Sequence, residues 1–377
     1  MIYLDYNATT PSAAPVQEAM LPFLAVHFGN PSSGHPPGRA AKEAIEDARG
    51  RVANLIGARH DEIIFTGGGT GSNNLAIKGV ALRDPRVRSG HIIISAIEHP
   101  AVSEPARFLQ RMGFDVTVVE CNRRAVVDPD TVKRALRPET LLVSVMHANN
   151  EVGTIQPIRQ IAEICHERNT LVHTDASQST GKIPVRVDEL GVDLLTIAGH
   201  KIYAPKGVGA LYVRGRLPLE PVLHGGGHEG GYRAGTENTP QIVGLGKAAQ
   251  LAFENLSEIG ERMATLRDRL ETSLFRGIGP ALSINAQDAP RLPNTSSVNF
   301  PAVSAQQLLA RTPEIYASTG AACHTHSTQL SATQQAMGLD EATARGTVRL
   351  SVGWYTTETE IDRVSQLLIG AWENIKS

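Results

Sequence analysis

The sequence predicts an α/β fold built on a mostly parallel sheet, and three observations carry that expectation. Short runs rich in β-branched and aliphatic residues recur between longer segments with helical spacing, the alternation of a sheet covered by helices. Several of these runs are apolar at nearly every position, as strands buried on both faces must be. After Val213 the texture changes to a glycine-rich loop and a long helical stretch, which ends the alternation.

Taken in order, strands are expected over 62–66, 91–95, 115–120, 141–146, 171–174, 193–197 and 208–213, giving a seven-stranded sheet. Helices fill the intervals. From 38 to 57, Ala41, Ala44, Ile45, Ala48, Val52, Leu55 and Ile56 mark one apolar stripe that stops at Gly57, a common helix terminator. The loop from His224 to Gly235 leads into a helix over about 241–275, and strands at 296–300 and 347–352 with a closing helix from Thr357 make a smaller α+β unit. A large domain is expected over 13–255, and a small one from 1–12 together with 256–377.

The balance of 36 Lys and Arg against 38 Asp and Glu leaves a net charge of −2, which argues against a nucleic-acid partner. With 41% hydrophobic residues over 377 positions there is enough apolar material for two cores. No apolar run is long enough to span a bilayer, and the first residues lack the pattern of an export signal. A soluble, cytoplasmic protein without a membrane partner is expected. The cysteines, Cys121, Cys165 and Cys323, are odd in number and far apart, unlike a disulfide scaffold. Cys165 falls at helical spacing and is expected in a core.

Three segments carry chemistry. Ile64 to Leu75 reads as a strand running into Gly67, Gly68 and Gly69 and then a helix, which is either a plain turn or a cradle of backbone N–H groups for a phosphate. Asp175 ends an apolar strand, where in open α/β sheets it faces the ligand crevice; it is either a helix cap or the partner of a cation such as a protonated pyridine nitrogen. Lys201 follows another apolar strand and precedes a Pro/Gly turn, with His200 and Lys206 nearby, so it is either a surface lysine or a Schiff-base former. A zinc site at His224 and His228, or at Cys323 and His326, is not expected, because three consecutive glycines make a helix between the first pair improbable.

Together the strings resemble one family, the class V, fold-type I pyridoxal phosphate enzymes, in the cysteine desulfurase and selenocysteine lyase branch. The resemblance runs through Tyr3 to Pro11, Asn30 to Ser33, Phe65 to Thr70, Glu98-His99, His147 to Gly153, His173 to Gln178, Gly199 to Tyr203, Gly225 to His228, Gly235 to Asn238, Gly320 to His324 and Val348 to Gly353. It implies a pyridoxal-phosphate-dependent transferase fold, with pyridoxal 5'-phosphate as cofactor and L-cysteine or L-selenocysteine as substrate. It further implies a homodimer and an acceptor protein for released sulfur or selenium. The wording around Leu292, Gly235 and Cys323 leans toward selenocysteine lyases. A class V aminotransferase, another β-lyase, or a scaffold that has lost turnover remain alternatives.

By the same resemblance, Lys201 carries the cofactor and moves the substrate α-proton, Asp175 pairs with the pyridinium nitrogen, and His99 stacks on the ring. Gln178 contacts the phenolic oxygen, while Gly69, Thr70 and His200 hold the phosphate with Thr236 from a partner subunit. Asn7, Asn150 and Arg349 bind substrate, a guanidinium being suited to a carboxylate. Cys323 is the mobile-loop nucleophile. Three positions depart from the family pattern: Gly71 replaces a glutamate and is expected to loosen the phosphate turn, Ala198 removes a hydroxyl, and the loop after Cys323 lacks a Pro-Ser pair.

Overall fold

The computed structural model describes residues 1–84, 86, 89–319 and 330–376. The chain opens with a short strand, β1 (Ile2–Tyr3), and then lays down β2 (Ile63–Thr66), β3 (His91–Ser95), β4 (Asp115–Val119), β5 (Thr140–Ser144), β6 (Leu171–Asp175), β7 (Leu194–Ala198) and β8 (Gly209–Val213). These last seven form one sheet in the order β2-β8-β7-β6-β5-β3-β4. Only β8 runs against its neighbours, so the other six carboxyl ends emerge on one edge.

The sheet is buried on both faces, which explains its continuous apolar runs. Ile63, Phe65, Ile93, Val143, Leu195 and Ile197 pack into one core. Their immediate neighbours Ile64, Ile92, Ile94, Leu142 and Leu194 pack into another on the opposite face. This is the two-residue alternation of a pleated strand with apolar partners on each side.

Beyond it come β9 (Ser283–Ile284), β10 (Thr295–Asn299), β11 (Ile315–Tyr316) and β12 (Thr347–Ser351). β10 pairs antiparallel with both β9 and β12, and β11 pairs with β1. A third core lies here, and one helix of 40 residues, Thr239–Ile278, serves two cores. Its Ile242, Leu245, Ala248, Ala249 and Ala252 belong with the large sheet, whereas Met263, Leu266, Leu270 and Leu274 belong with the smaller one.

Local punctuation follows the sequence. Helix Pro36–Ile56 ends on Gly57 at φ 67°, a left-handed cap that glycine adopts without strain. Gly71 differs from expectation: it lies inside helix Gly69–Leu82, and a Cβ there would meet nothing closer than Thr66 at 3.6 Å. The position is ordinary helix. Among the described residues no helix is long and apolar enough to cross a membrane.

Candidate active site

The common edge of carboxyl ends opens onto a cavity of about 860 Å³. The segments after β2, β3, β5, β6 and β7 each deliver different side chains to it. After β2 the chain turns through Gly67 and Gly68, the latter at φ 131°, into helix Gly69–Leu82. Thr66 Oγ1 meets Ser72 Oγ at 2.7 Å and pins the turn. A Cβ on Gly69 would lie 3.1 Å from Ala198 Cβ and 3.2 Å from Ser177 Oγ, so a side chain there would crowd the cradle. Thr70 is exposed on the same first turn and lines the cavity. Free N–H groups of a first helical turn favour an anion.

Asp175 is the last residue of β6 and is buried. Its Oδ1 accepts the Ser177 N–H at 2.9 Å and its Oδ2 accepts the Asn73 side-chain amide at 2.7 Å. Both donors are neutral, and Asn73 Oδ1 has no partner among the described residues. A buried carboxylate held only by neutral donors in a cavity wall is suited to a cationic ligand.

Lys201 follows β7 in the short turn Gly199–Lys201. Its Nζ donates to the Asn7 carbonyl at 2.5 Å and the Ala8 carbonyl at 2.7 Å, which fixes the amine at the cavity wall. Two residues on, Tyr203 sits at φ 65°, an unusual conformation for a non-glycine residue. It is held there by stacking on Trp354, with ring centroids 3.8 Å apart, and its hydroxyl accepts the Trp354 N–H at 2.6 Å. His200 lines the cavity beside it, with Nδ1 3.1 Å from Thr9 Oγ1. Burial, then the charges of Lys201 and Lys206, pull its pKa down to about 4, so the imidazole is neutral at pH 7.

His99 caps helix Pro100–Arg111, its Nδ1 accepting the Ala101 N–H at 3.0 Å. With that nitrogen an acceptor, a neutral ring carries its proton on Nε2. Burial holds the pKa below the usual histidine value, Asp175 opposing and Lys201 adding to the effect. The neighbouring Glu98 accepts from Ser95 Oγ at 2.5 Å and from the Met146 N–H at 2.8 Å, both at Oε1. Its buried Oε2 has no described partner, and burial pushes the carboxyl up to about 8.

Gln178 donates through Nε2 to the Asn7 carbonyl at 3.0 Å. Asn7 in turn donates to Thr295 Oγ1 at 2.8 Å and to the Asn150 carbonyl at 3.2 Å, linking the first residues to both sheets. Arg349 reaches the cavity from β12, with its side chain only 2% exposed. Nη1 donates to the Asn150 carbonyl at 3.0 Å, Nη2 to Asp5 Oδ1 at 2.7 Å, and Nε has no described partner.

Ten of the residues singled out in the sequence, Asn7, Gly69, Thr70, His99, Asn150, Asp175, Gln178, His200, Lys201 and Arg349, therefore line one cavity. Thr236 is exposed and does not line it. Cys323, with His324 and His326, lies outside the described residues; on either side of that stretch, Ser318 pairs with Arg349 and Thr333 lines the cavity. The other thiols are unreactive by environment: burial pushes Cys165 up to about 12 and Cys121 to about 11. Sequence reasoning missed Asn73, Ser177, Lys182 and the pairing of Asp5 with Arg349. Asn73 had one readable signal, since it follows Thr70 by three residues and so shares its helix face.

The aminotransferase class-V model matches residues 2–364, nearly the whole chain. The chain belongs to that family. A cysteine desulfurase IscS of Dictyoglomus turgidum is 45% identical over 378 residues, covering 100% of this chain and 95% of the relative. Cysteine desulfurase IscS 1 of Archaeoglobus fulgidus is 43% identical over 379 residues, covering 100% of this chain and 98% of its own. Among solved structures, a NifS-like protein superposes with a TM-score of 0.91 at 38% identity, over 100% of this chain and 99% of the other. This class-V protein is an enzyme of the cysteine desulfurase group, and its cofactor is pyridoxal phosphate. The donor set fits that cofactor: an open glycine turn for an anion, a buried carboxylate without a cation, and an amine at the wall between them.

Proposed function

We propose that this enzyme cleaves the carbon–sulfur bond of L-cysteine, and the carbon–selenium bond of L-selenocysteine, to leave L-alanine. The observation that carries the reading is the convergence of Lys201, Asp175, His99 and Arg349 on one cavity. A solved relative described as SspA in complex with cysteine, 39% identical with a TM-score of 0.84 over 95% of this chain and 100% of the other, supports cysteine as the substrate.

Lys201 holds the cofactor covalently, Asp175 pairs with the ring nitrogen, and the N–H groups at Gly69 and Thr70, with His200, hold the phosphate. Bound there, pyridoxal phosphate supplies an electron sink for the charge left when the substrate α-proton is removed. Lys201 Nζ takes that proton. His99 covers the ring and, with its proton on Nε2, is a neutral donor facing the reaction. Arg349 binds the substrate carboxylate beside Asn7 and Asn150, and its Nε has no partner among the described residues.

The sulfur acceptor is Cys323. Its thiolate attacks the substrate sulfur, the Cβ–S bond breaks, and the sulfur remains on the enzyme as a persulfide while protons return to carbon to give alanine. Thr333 in the cavity lining and the pairing of Ser318 with Arg349 support the assignment. A protein acceptor then takes the persulfide sulfur. Selenolate is the better leaving group, so selenocysteine needs the thiol less.

The reading includes a homodimer in which Thr236 serves the neighbouring cavity, in line with its exposure and its absence from the lining of its own. Exposed Leu21, Leu24, Val26 and Phe28 offer apolar surface for such a contact. It also includes the division into a large and a small domain near residue 255, which the two cores shared by helix Thr239–Ile278 support.

The test is alanine release from each amino acid by purified, cofactor-loaded enzyme and by Cys323→Ala. Alanine from cysteine that disappears in the variant, with turnover of selenocysteine persisting, supports the proposal. Cysteine turnover that survives the substitution, or a keto acid as product, contradicts it.

A further inference from the structure

Lys182 is buried two turns of chain beyond Asp175, and the chemistry described so far does not use it. Its Nζ donates to two oxygens of one residue, the Gln178 carbonyl at 3.0 Å and the Gln178 side-chain Oε1 at 3.1 Å. No described carboxylate lies within ion-pair distance of it. Burial, then the charges of Lys201 and Arg349, push its pKa down to about 7. A lysine in such a place is costly to keep unless its hydrogen bonds matter.

The consequence falls on Gln178. An amide can turn either end toward a neighbour, whereas an amine donates in either protonation state and, when protonated, can only donate. Lys182 therefore claims the oxygen end of the amide, and the NH2 end is turned away from it. That end carries two hydrogens, of which the bond to the Asn7 carbonyl uses one, and Gln178 lines the cavity.

We propose that Lys182 is a positioning residue that locks the Gln178 amide with its NH2 toward the cofactor, so that Gln178 acts as a fixed donor to the phenolic oxygen. The inference rests on the reading of Gln178 in the preceding section. A donor at that oxygen stabilises its anion, which makes the proton shared between it and the Lys201 nitrogen easier to remove. Freeing the amide to rotate weakens the donor, and the proton is then held to higher pH.

The experiment is a pH titration of the visible absorption band of the bound cofactor in the holoenzyme, with Gln178→Ala, Lys182→Met and the double variant. Cofactor affinity is read from the same band. Lys182→Met has nearly the lysine's volume and removes a buried charge, a change that folded proteins commonly tolerate. Lys182→Gln, which can pair with either end of the amide, is the second variant and keeps the test open if the first does not accumulate. Gln178→Ala and Lys182→Met should each raise the midpoint by at least about half a pH unit, with Lys182→Gln moving it less. The double variant should match Gln178→Ala alone, because neighbours acting through one group are not additive.

A midpoint that moves in Gln178→Ala but in neither Lys182 variant overturns the inference and leaves the role of Gln178 standing. A Lys182 effect that adds in full on the Gln178→Ala background overturns it too, since the lysine charge would then be acting directly. An unmoved midpoint in Gln178→Ala itself overturns both.

Discussion

Asn73 donates its side-chain amide to Asp175 Oδ2 at 2.7 Å, which ties the helix after the glycine turn to the end of β6. Asn73 stands on the helix that follows β2 and Asp175 ends β6, and β8 and β7 stand between those two strands. The bond therefore sets the separation between the glycine turn and the carboxylate, the two ends of the proposed cofactor seat.

Asn73→Ala should consequently weaken pyridoxal phosphate binding and turnover together, by about tenfold or more, the scale of one hydrogen bond to a charged group. Asp175→Asn, which removes the charge and keeps the shape, should cost at least about a hundredfold in kcat, because it removes electrostatic stabilisation that acts during the reaction. Cofactor titration and steady-state kinetics on both variants check this. An Asp175→Asn enzyme with unaltered kcat would refute the pairing with the ring nitrogen.

Two glycines in the same turn should behave oppositely. Gly69→Ala places a methyl group 3.1 Å from Ala198 Cβ and 3.2 Å from Ser177 Oγ, so it should lower cofactor affinity. Gly71→Ala meets only an ordinary 3.6 Å contact inside the helix, and should leave loading unchanged while raising stability by about 0.5–1 kcal/mol. Equilibrium loading and thermal melts distinguish them. Equal loss in both would show that the cradle tolerates no side chain anywhere along its first turn.

Glu98 should make stability depend on pH. Burial raises its pKa from 4.5 to about 8 in the folded protein, so between those values the folded state binds more protons than the unfolded one. The contribution is fully present below about 4.5 and is lost as pH rises through about 8. Glu98→Gln, a permanent neutral mimic, should therefore gain stability relative to the wild type as pH rises from 5 to 9, by at most about 1.4 kcal/mol per unit. Melting curves of the two holoenzymes across that range decide it, and a constant difference would mean that the carboxyl is ionised throughout.

The large sheet was legible because its strands are buried on both faces, so Ile92, Ile93 and Ile94 read as one apolar run whichever way each side chain points. Its direction was not legible: nothing in 208–213 distinguishes the antiparallel β8 from its parallel neighbours, because strand direction is set by how the chain returns rather than by composition. In the site, Asp175 was readable as a charged residue closing an apolar strand and Lys201 as one following another. Lys182 and Asn73 were not, because a buried lysine and a helical asparagine are recognised only by what they touch. Asp5 was visible within a motif, but its pairing with Arg349 spans 344 positions and depends on β12 lying beside the first residues.

The most direct test of this account is where the cofactor is attached. Borohydride reduction of the holoenzyme followed by peptide mass spectrometry should place the pyridoxyl group on Lys201, whose amine is fixed at the cavity wall by the carbonyls of Asn7 and Ala8. An adduct on Lys206, which also lines the cavity, or on Lys182 would contradict it.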